Sequence, residues 1–470
     1  MKIKSNRIMI SACSSGSGKT TVTCGILKAL KNRALKTVSC KCGPDYIDPM
    51  FHTAVLGIPS KNIDPFFANE NLLKTLFARH VKGQDIAVVE GVMGYYDGLS
   101  FDSDRASSYE VAKTLQIPTI LVINARGMAL TMIATIKGMM EFRKDSNIKG
   151  VILNNVSKMV YQSVAPVIEK ELGIAALGYL PVCEDCSVES RHLGLVTPEN
   201  IADINERLDK LGQLTQECID IDRLLELAQS APDIEYEPEE IGDQTYTKTN
   251  IQTKAKPRIA VARDEAFCFY YQDNMELLSE LGCELIYFSP IKDKTLPENV
   301  DGLILGGGYP ELYCDELSTN YTMLNDIRTK LENGLPCLAE CGGYMYLHET
   351  MEDRNKKEYK MVGILKEKTY KCDRLVRFGY ITLSPLQENE LLHSGEEIKA
   401  HEFHYWDSSD NGALMKAEKP SGKRNWQCMH NIYNTFCGYP HLFYYSNVDF
   451  AKRFVELCST NKIMRVDKCL

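Results

Sequence analysis

No apolar run in this 470-residue chain approaches the roughly 18 residues that a membrane-spanning helix requires. The N-terminal "MKIKSNRIMISACSSG" has basic residues ahead of an apolar stretch, but that stretch is too short and too soon polar for a secretory signal. A cytoplasmic location without a membrane partner is therefore expected. A basic excess is missing as well. Lysine and arginine number 54 against 63 aspartates and glutamates, a net charge of −9. That excludes the concentrated basic face that nucleic-acid phosphates demand, and it leaves any anionic substrate dependent on locally placed cations. A disulfide framework is not apparent either: the 17 cysteines are scattered and are expected as reduced thiols. Cys183 and Cys186, or Cys40 and Cys42, lack the second pair that a zinc site needs. No internal repeat is visible.

What is present is an ordinary globular composition, 44% hydrophobic and 25% charged. The length exceeds what one core organises, so two domains of roughly 200 residues are expected. From residue 7 to about 230, short β-branched runs alternate with longer helix-like stretches: "RIMISAC", "KTVSCK", "DIAVVEG", "PTILVINA" and "KGVILNNV". Such alternation predicts a parallel sheet covered by helices. Over 231–256 the sequence loses its apolar periodicity and turns acidic, then basic. The pattern restarts with "RIAVAR", "CELIYFS", "DGLILGGG" and "PCLAE". Two α/β domains, 1–231 and 257–470, joined by a linker at 232–256, are thus predicted.

The segment "SACSSGSGKTT" follows the first strand and precedes the helix-like "VTCGILKALKN". A glycine-rich turn at that junction aims backbone N–H groups and the positive end of a helix at an anion. Gly16, Gly18, Lys19, Thr20 and Thr21 then form a phosphate cradle, with Lys19 on the terminal phosphates and Thr20 a ligand for Mg²⁺. The usual pattern has glycine where Cys13 stands. Carboxylates cluster after later strands, where open α/β sheets bind ligands. "KCGPDYIDPMFH" contributes Asp45 and Asp48, and "VVEGVMGYYDG" contributes Glu90 and Asp97. Divalent-metal binding and substrate orientation need such groups, although an aspartate in a turn also serves local hydrogen bonding. Glu90 is the sharper candidate, because a glutamate at the end of a buried strand needs a cation to meet it. Asn154 and Asn155 end another strand, where side-chain amides suit adenine recognition or a turn. "ESRHLGLV" offers Arg191 and His192 as local cationic contacts for a carboxylate-rich substrate.

In the second half, "LPCLAECGGYMYL" places Cys341 between a strand and two glycines, as a nucleophile on a strand-to-helix turn requires. A cysteine is more often a small buried hydrophobe, so this reading needs support. "DGLILGGGYPELY" supplies it: an apolar strand ends in three glycines whose amides can face a developing oxyanion. Gly307 and Gly342 are the candidate donors. His404 in "HEFHYWD" and His441 in "GYPHLFYY" are candidate bases, with His441 preferred.

Taken in order, "SSGSGKTT", "GPDYIDPMFH", "VVEGVMGYYDG", "ESRHLGLV", "RIAVARDEAFCFYYQDN", "LILGGGYPELY", "AECGGYMYL" and "HEFHY" resemble the cobyrinate a,c-diamide synthase family over about residues 7–450. The resemblance implies a dethiobiotin-synthetase-like P-loop domain joined to a class I glutamine amidotransferase domain. It implies amidation of the a and c acetates of a corrin with ATP, Mg²⁺ and glutamine. Lys19 and Thr20 then fall in the nucleotide loop, Glu90 in the metal position, and Asp45, Asp48 and Asp97 in the substrate and metal region. Cys341 takes the nucleophile's place and His441 that of its base. Asn124 replaces a usual aspartate, and Phe443 replaces a frequent second histidine. No acid after His441 completes a triad, so a Cys–His dyad is expected. Nickel sirohydrochlorin or hydrogenobyrinate remains open as the macrocycle, as does a homodimer. A rival of another class is a non-catalytic P-loop ATPase switch with a degenerate amidotransferase module; the intact Cys341 turn argues against it.

Overall fold

The computed structural model describes residues 1–183, 186, 198–238 and 256–467. The chain forms two units, Met1–Glu239 and Glu240–Leu470. Among the described residues no helix is long and apolar enough to cross a membrane.

The first unit is built on seven parallel strands: β1 (Arg7–Ala12), β2 (Thr37–Cys42), β3 (Ser60–Ile63), β4 (Ile86–Glu90), β5 (Thr119–Asn124), β6 (Ile148–Asn154) and β7 (Ala175–Leu180). They lie in the order β3-β2-β4-β1-β5-β6-β7. The near-continuous apolar runs follow from burial on both faces: every residue of β1, β2 and β4 is buried. Helix α1 (Lys19–Asn32) covers one face, where Val22, Ile26, Leu27 and Leu30 share a core with Ile8, Ile10, Val88 and Val122. Their three- and four-residue spacing makes one apolar stripe. With β4 and β5 flanking β1, the loop leaving β1 opens at the switch point of the sheet, where such folds bind ligands.

The predicted strands are present, and two more, β3 and β7, close the edges of the sheet. Ile234–Glu235 pairs antiparallel with Lys2–Ile3, and buried Arg7 donates to the Pro232 carbonyl at 2.6 Å, so the first unit extends past residue 231. One expectation fails. Cys183 and Cys186 form a disulfide rather than remaining free thiols, because the chain brings their Cα atoms to 5.2 Å, within bridging distance. The other cysteines among the described residues are free.

The second unit has a six-stranded sheet containing β8 (Arg258–Ala262), β9 (Glu284–Phe288), β10 (Gly302–Leu305), β11 (Cys337–Glu340), β12 (His430–Ile432) and β13 (Thr435–Gly438). The order is β9-β8-β10-β11-β13-β12, parallel except for β12 at the edge. A five-stranded antiparallel sheet, which the alternating α/β pattern did not predict, joins Asn425–Cys428, Met415–Glu418, Arg377–Pro385, Ile398–His404 and His441–Leu442. It delivers two of the candidate histidines.

Candidate functional site

At the first site β1 runs directly into loop 13–18. Gly16 and Gly18 adopt φ of 75° and 97°, left-handed angles that favour glycine. A Cβ at Gly18 would also lie 2.1 Å from Asn154 Nδ2. Asn154 is buried and donates to the Ser17 carbonyl at 3.1 Å, so it braces the loop from beneath. Asn155, with φ 63°, donates instead to Asn124 Oδ1 at 3.1 Å. Lys19, Thr20 and Thr21 open α1. The Lys19 ammonium curls across the loop to the Ser14 and Met93 carbonyls at 3.1 and 2.5 Å. Burial, then repulsion from Lys41, pulls its pKa down to about 8.

Behind the loop sits a charged cluster that β2 and β4 create by pairing Lys41 with Glu90 in register. Thr20 Oγ1 and Lys41 Nζ both donate to Glu90 Oε1, at 2.7 and 2.9 Å, and Lys41 reaches Asp48 Oδ2 at 2.5 Å. Glu90 is fully buried; desolvation and then Asp48 push its carboxyl up to about 7, against the pull of Lys41. Burial opposes the Lys41 charge, but Glu90 and Asp48 outweigh it and hold the ammonium above its usual range. Glu90 Oε2 makes no hydrogen bond, and His52 Nε2, at 3.6 Å, is neutral because burial lowers its pKa to about 4.

Asp45 accepts the Ile47 N–H at 2.9 Å, and burial, then Asp48, raises its pKa. Asp97 is exposed, accepts the Gly94 N–H at 2.8 Å, and its charge supports the Lys19 ammonium. Arg191 and His192 lie outside the described residues. Among the described residues no three His, Cys, Asp or Glu side chains are grouped to hold a metal by themselves. Even so, an orphaned carboxylate oxygen and a threonine hydroxyl beside an anion loop are the donors that Mg²⁺ takes when phosphates complete its shell. The residues fit Mg²⁺ in that sense. Sequence reasoning missed Lys41, although it stands inside the quoted "KCGPDYID" segment.

At the second site Cys341 joins β11 to a short helix, Gly342–Leu347, with φ 48° and ψ −105°. That backbone is strained for a residue bearing a Cβ, as at a nucleophile elbow. The turn is tied down by Cys341 N–H to the Gly438 carbonyl at 2.8 Å and Gly343 N–H to the Gly306 carbonyl at 2.9 Å. Side chains have no room beside it. A Cβ at Gly343 would lie 2.1 Å from the Leu305 carbonyl, and one at Gly342 would lie 3.1 Å from the Gly308 amide. A Cβ on Gly307 would meet His441 Cε1 at 2.4 Å. The glycine strand thus lies against the His441 imidazole at Gly307 and against the elbow turn at Gly308.

The resting site is electrically quiet. Burial pushes the Cys341 thiol far above its usual range and Glu311 adds to this, while the Gly342 N–H pulls the other way. Burial and then His404 lower His441 to about 3. Both partners are therefore uncharged at neutral pH. Glu340, just before the nucleophile, accepts a hydrogen bond from Tyr444 Oη at 3.3 Å and from the Leu442 amide, so it holds the strand that carries His441. Burial raises it to about 8.

His404 lies near enough to His441 to add to the lowering of its pKa. Its ring stacks on Tyr439 at 3.8 Å between centroids, its Nδ1 is 2.6 Å from the Trp406 carbonyl, and its Nε2 is 3.8 Å from Glu402 Oε2. Glu402 is fully buried and neither carboxylate oxygen makes a hydrogen bond. Here is an acid beside His404, two residues before it on the same strand, which a search downstream of His441 did not reach. The "HEFHY" segment held it, but only its histidines were weighed.

Residues 258–448 match the family model of the CobB/CobQ-like glutamine amidotransferase domain, and residues 6–190 match that of an AAA domain. A protein of Clostridium acetobutylicum named cobyrinate a,c-diamide synthase is 41% identical over 455 residues, 96% of this chain and 99% of that protein. Proteins of the same name from Clostridium tetani and Picrophilus torridus are 41% and 39% identical, covering 96% and 97% of this chain and 99% of each relative.

Proposed function

The chain belongs to the cobyrinate a,c-diamide synthase family, and from that premise we propose how its two sites share one reaction. The reaction is the amidation of the a and c acetate side chains of cobyrinate in cobalamin biosynthesis, with ATP consumed and glutamine as the amide donor. The chain is accordingly a ligase that forms C–N bonds. The observation that carries the division of labour is the pairing of a phosphate loop in one unit with an elbow thiol in the other.

In the amidotransferase unit, His441 takes the thiol proton and the Cys341 sulfur attacks the amide carbon of glutamine. The Gly342 and Gly307 amides hold the tetrahedral oxygen, and the proton on His441 leaves with ammonia. Water then hydrolyses the glutamyl thioester to glutamate and restores the thiol. Glutamine's arrival has to start the proton transfer, because thiol and imidazole rest uncharged. In the P-loop unit the γ-phosphoryl group of ATP passes to an acetate carboxylate, giving an acyl phosphate. Lys19 and the loop amides carry the charge that spreads over the phosphoryl oxygens. Mg²⁺, held by Thr20 and Glu90 with the nucleotide's own phosphates, supplies further positive charge there when bound. Lys41 keeps Glu90 and Asp48 in place. Asp45, Asp48 and Asp97, with Arg191 and His192, are assigned to the macrocycle and metal side of this site. Ammonia displaces phosphate from the acyl phosphate and leaves the amide. We place the reaction in the cytoplasm, with small molecules as its only required partners and a homodimer allowed.

The test is an amidation assay with cobyrinate, nickel sirohydrochlorin and hydrogenobyrinate at equal concentrations. We expect cobyrinate to yield the a,c-diamide with kcat/KM at least about tenfold above either rival, a difference of about 1.4 kcal/mol in the transition state. Diamidation of a rival macrocycle in preference to cobyrinate overturns the assignment.

A further inference from the structure

The glycine strip beside the elbow runs on into an acid that the thioester chemistry does not use. Gly307 lies against His441, Gly308 and Pro310 lie against Gly342, and Glu311 follows in a short 3-10 turn, Pro310–Leu312. A Cβ on Gly342 would stand 2.9 Å from Pro310 Cδ. We propose that Glu311 receives the α-ammonium group of glutamine and so selects this amide over others. The inference rests on the reading of this unit as a glutaminase; for the choice of residue it rests on the strip.

Burial is the first argument. Glu311 is 8% exposed, its carboxyl accepts its own backbone N–H, and among the described residues no cation forms an ion pair with it. Burial lifts the group to about 7, against the pull of that N–H and of Arg354. A buried carboxylate without a counter-ion is costly, and an arriving ammonium removes the cost. The site is not sealed: Cys341 is 7% exposed and Glu311 8%, so each keeps some surface for a ligand.

The sign of its charge is the second. Of the charges that raise the Cys341 thiol, Glu311 is the largest, ahead of Glu402 and of Glu340, the residue just before the thiol. It raises Cys268 and Cys314 as well, so its carboxyl is within electrostatic reach of all three. A carboxylate there opposes the thiolate that attack requires, so Glu311 by itself is no helper of the nucleophile. With an ammonium set against it, that opposition falls. One contact then both recognises glutamine and eases the proton off Cys341.

Reach is the third. In glutamine the α-nitrogen lies four bonds from the amide carbon, about 5 Å when extended. With that carbon at the thiol and its oxygen toward the Gly307 and Gly342 amides, the step from Pro310 to Glu311 plus a glutamate side chain covers such a span. Aromatic rings accompany the strip. Phe267–Phe269 pairs antiparallel with Gly307–Gly308, and the Phe269 ring lies 6.5 Å from that of His441 and 5.0 Å from that of Tyr309, between centroids. Such rings suit the methylene chain of glutamine. An amide that lacks the α-ammonium gains the rings but not the acid.

Ammonia release by the full-length protein is measured with glutamine and with glutaramate, its analogue without the α-amino group. The wild type is expected to favour glutamine by about 100-fold in kcat/KM. Glu311→Gln should cut that preference at least about tenfold, by raising KM for glutamine while glutaramate reacts as fast or faster. Glu311→Asp, which keeps the charge, should retain more of the preference. Labelling of Cys341 by iodoacetamide at about pH 9 without substrate, read by mass spectrometry, should be faster in Glu311→Gln, because the opposing charge is gone. A preference that Glu311→Gln leaves intact, equal losses on both amides, or labelling that is no faster overturns the inference. A wild type that releases ammonia from neither amide rejects the glutaminase reading and the inference with it. Release from glutamine with a preference that the variant does not alter rejects Glu311 alone.

Discussion

Replacing Cys341 with alanine should lower glutamine-dependent amidation by roughly 10⁴-fold or more, the scale of removing a catalytic nucleophile, and should leave amidation with added ammonium salt near the wild-type rate. The elbow explains why the fold survives the change. The strained φ of 48° is an expense that any residue with a Cβ meets, alanine as much as cysteine, and Cys341 is anchored by its backbone N–H to Gly438. Removing one sulfur therefore removes the chemistry and little of the structure. The glutamyl thioester cannot form, yet the P-loop site still makes its acyl phosphate, which free ammonia can attack. Product formation is measured with glutamine and, separately, with ammonium chloride. If ammonium does not rescue the variant, the assigned division of labour is wrong.

Lys19→Ala should have the complementary effect: ATP turnover falls on the order of 10³-fold while thioester formation from glutamine persists. Lys19 is the cation that crosses the loop, and Lys41, engaged by Glu90 and Asp48, is not placed to substitute for it. The wild-type pH profile tests the same group. Burial lowers the Lys19 pKa to about 8, so the free enzyme loses this positive charge as pH rises through that value, and kcat/KM for ATP should decline above about pH 8. Bound nucleotide, being anionic, favours the ammonium, so kcat should hold to higher pH than kcat/KM. A Lys19→Ala enzyme that retains ATP turnover but no longer forms the thioester refutes the assignment.

The catalytic frame was legible in the sequence wherever glycine or a buried charge was forced by local geometry. Gly16, Gly18, Gly342 and Gly343 stand where a Cβ is strained or clashes, and Glu90 ends a buried strand where its charge needs Lys41. Elements without such local constraint escaped. The β3 sequence "SKNI" and the β7 sequence "AALGYL" are weak strand formers, and both are edges stabilised by pairing with β2 and β6. The antiparallel sheet pairs Arg377–Pro385 with residues about 20 and 35 positions away and His441–Leu442 with Ile398–His404, contacts that a local pattern does not encode.

 The register of that last pairing sets Ala400 opposite Leu442 and His401 opposite His441, which fixes the strand that carries the proposed base. Glu402 was missed for a different reason: it lies two residues before His404 on one strand, and only the histidines of that segment were considered as candidates. The disulfide between Cys183 and Cys186 was missed because one isolated pair gives no spacing pattern to read.

The central claim is that glutamine nitrogen, released at Cys341, meets a carboxylate phosphorylated at the P-loop. It is tested most directly in one reaction that combines glutamine labelled with ¹⁵N at its amide and cobyrinate labelled with ¹⁸O in its carboxylates. The account predicts ¹⁵N in both the a and c amides and one ¹⁸O transferred to inorganic phosphate for each amide formed, with one ATP consumed each time. Amides that form without ¹⁸O reaching phosphate, or that carry unlabelled nitrogen, would contradict it.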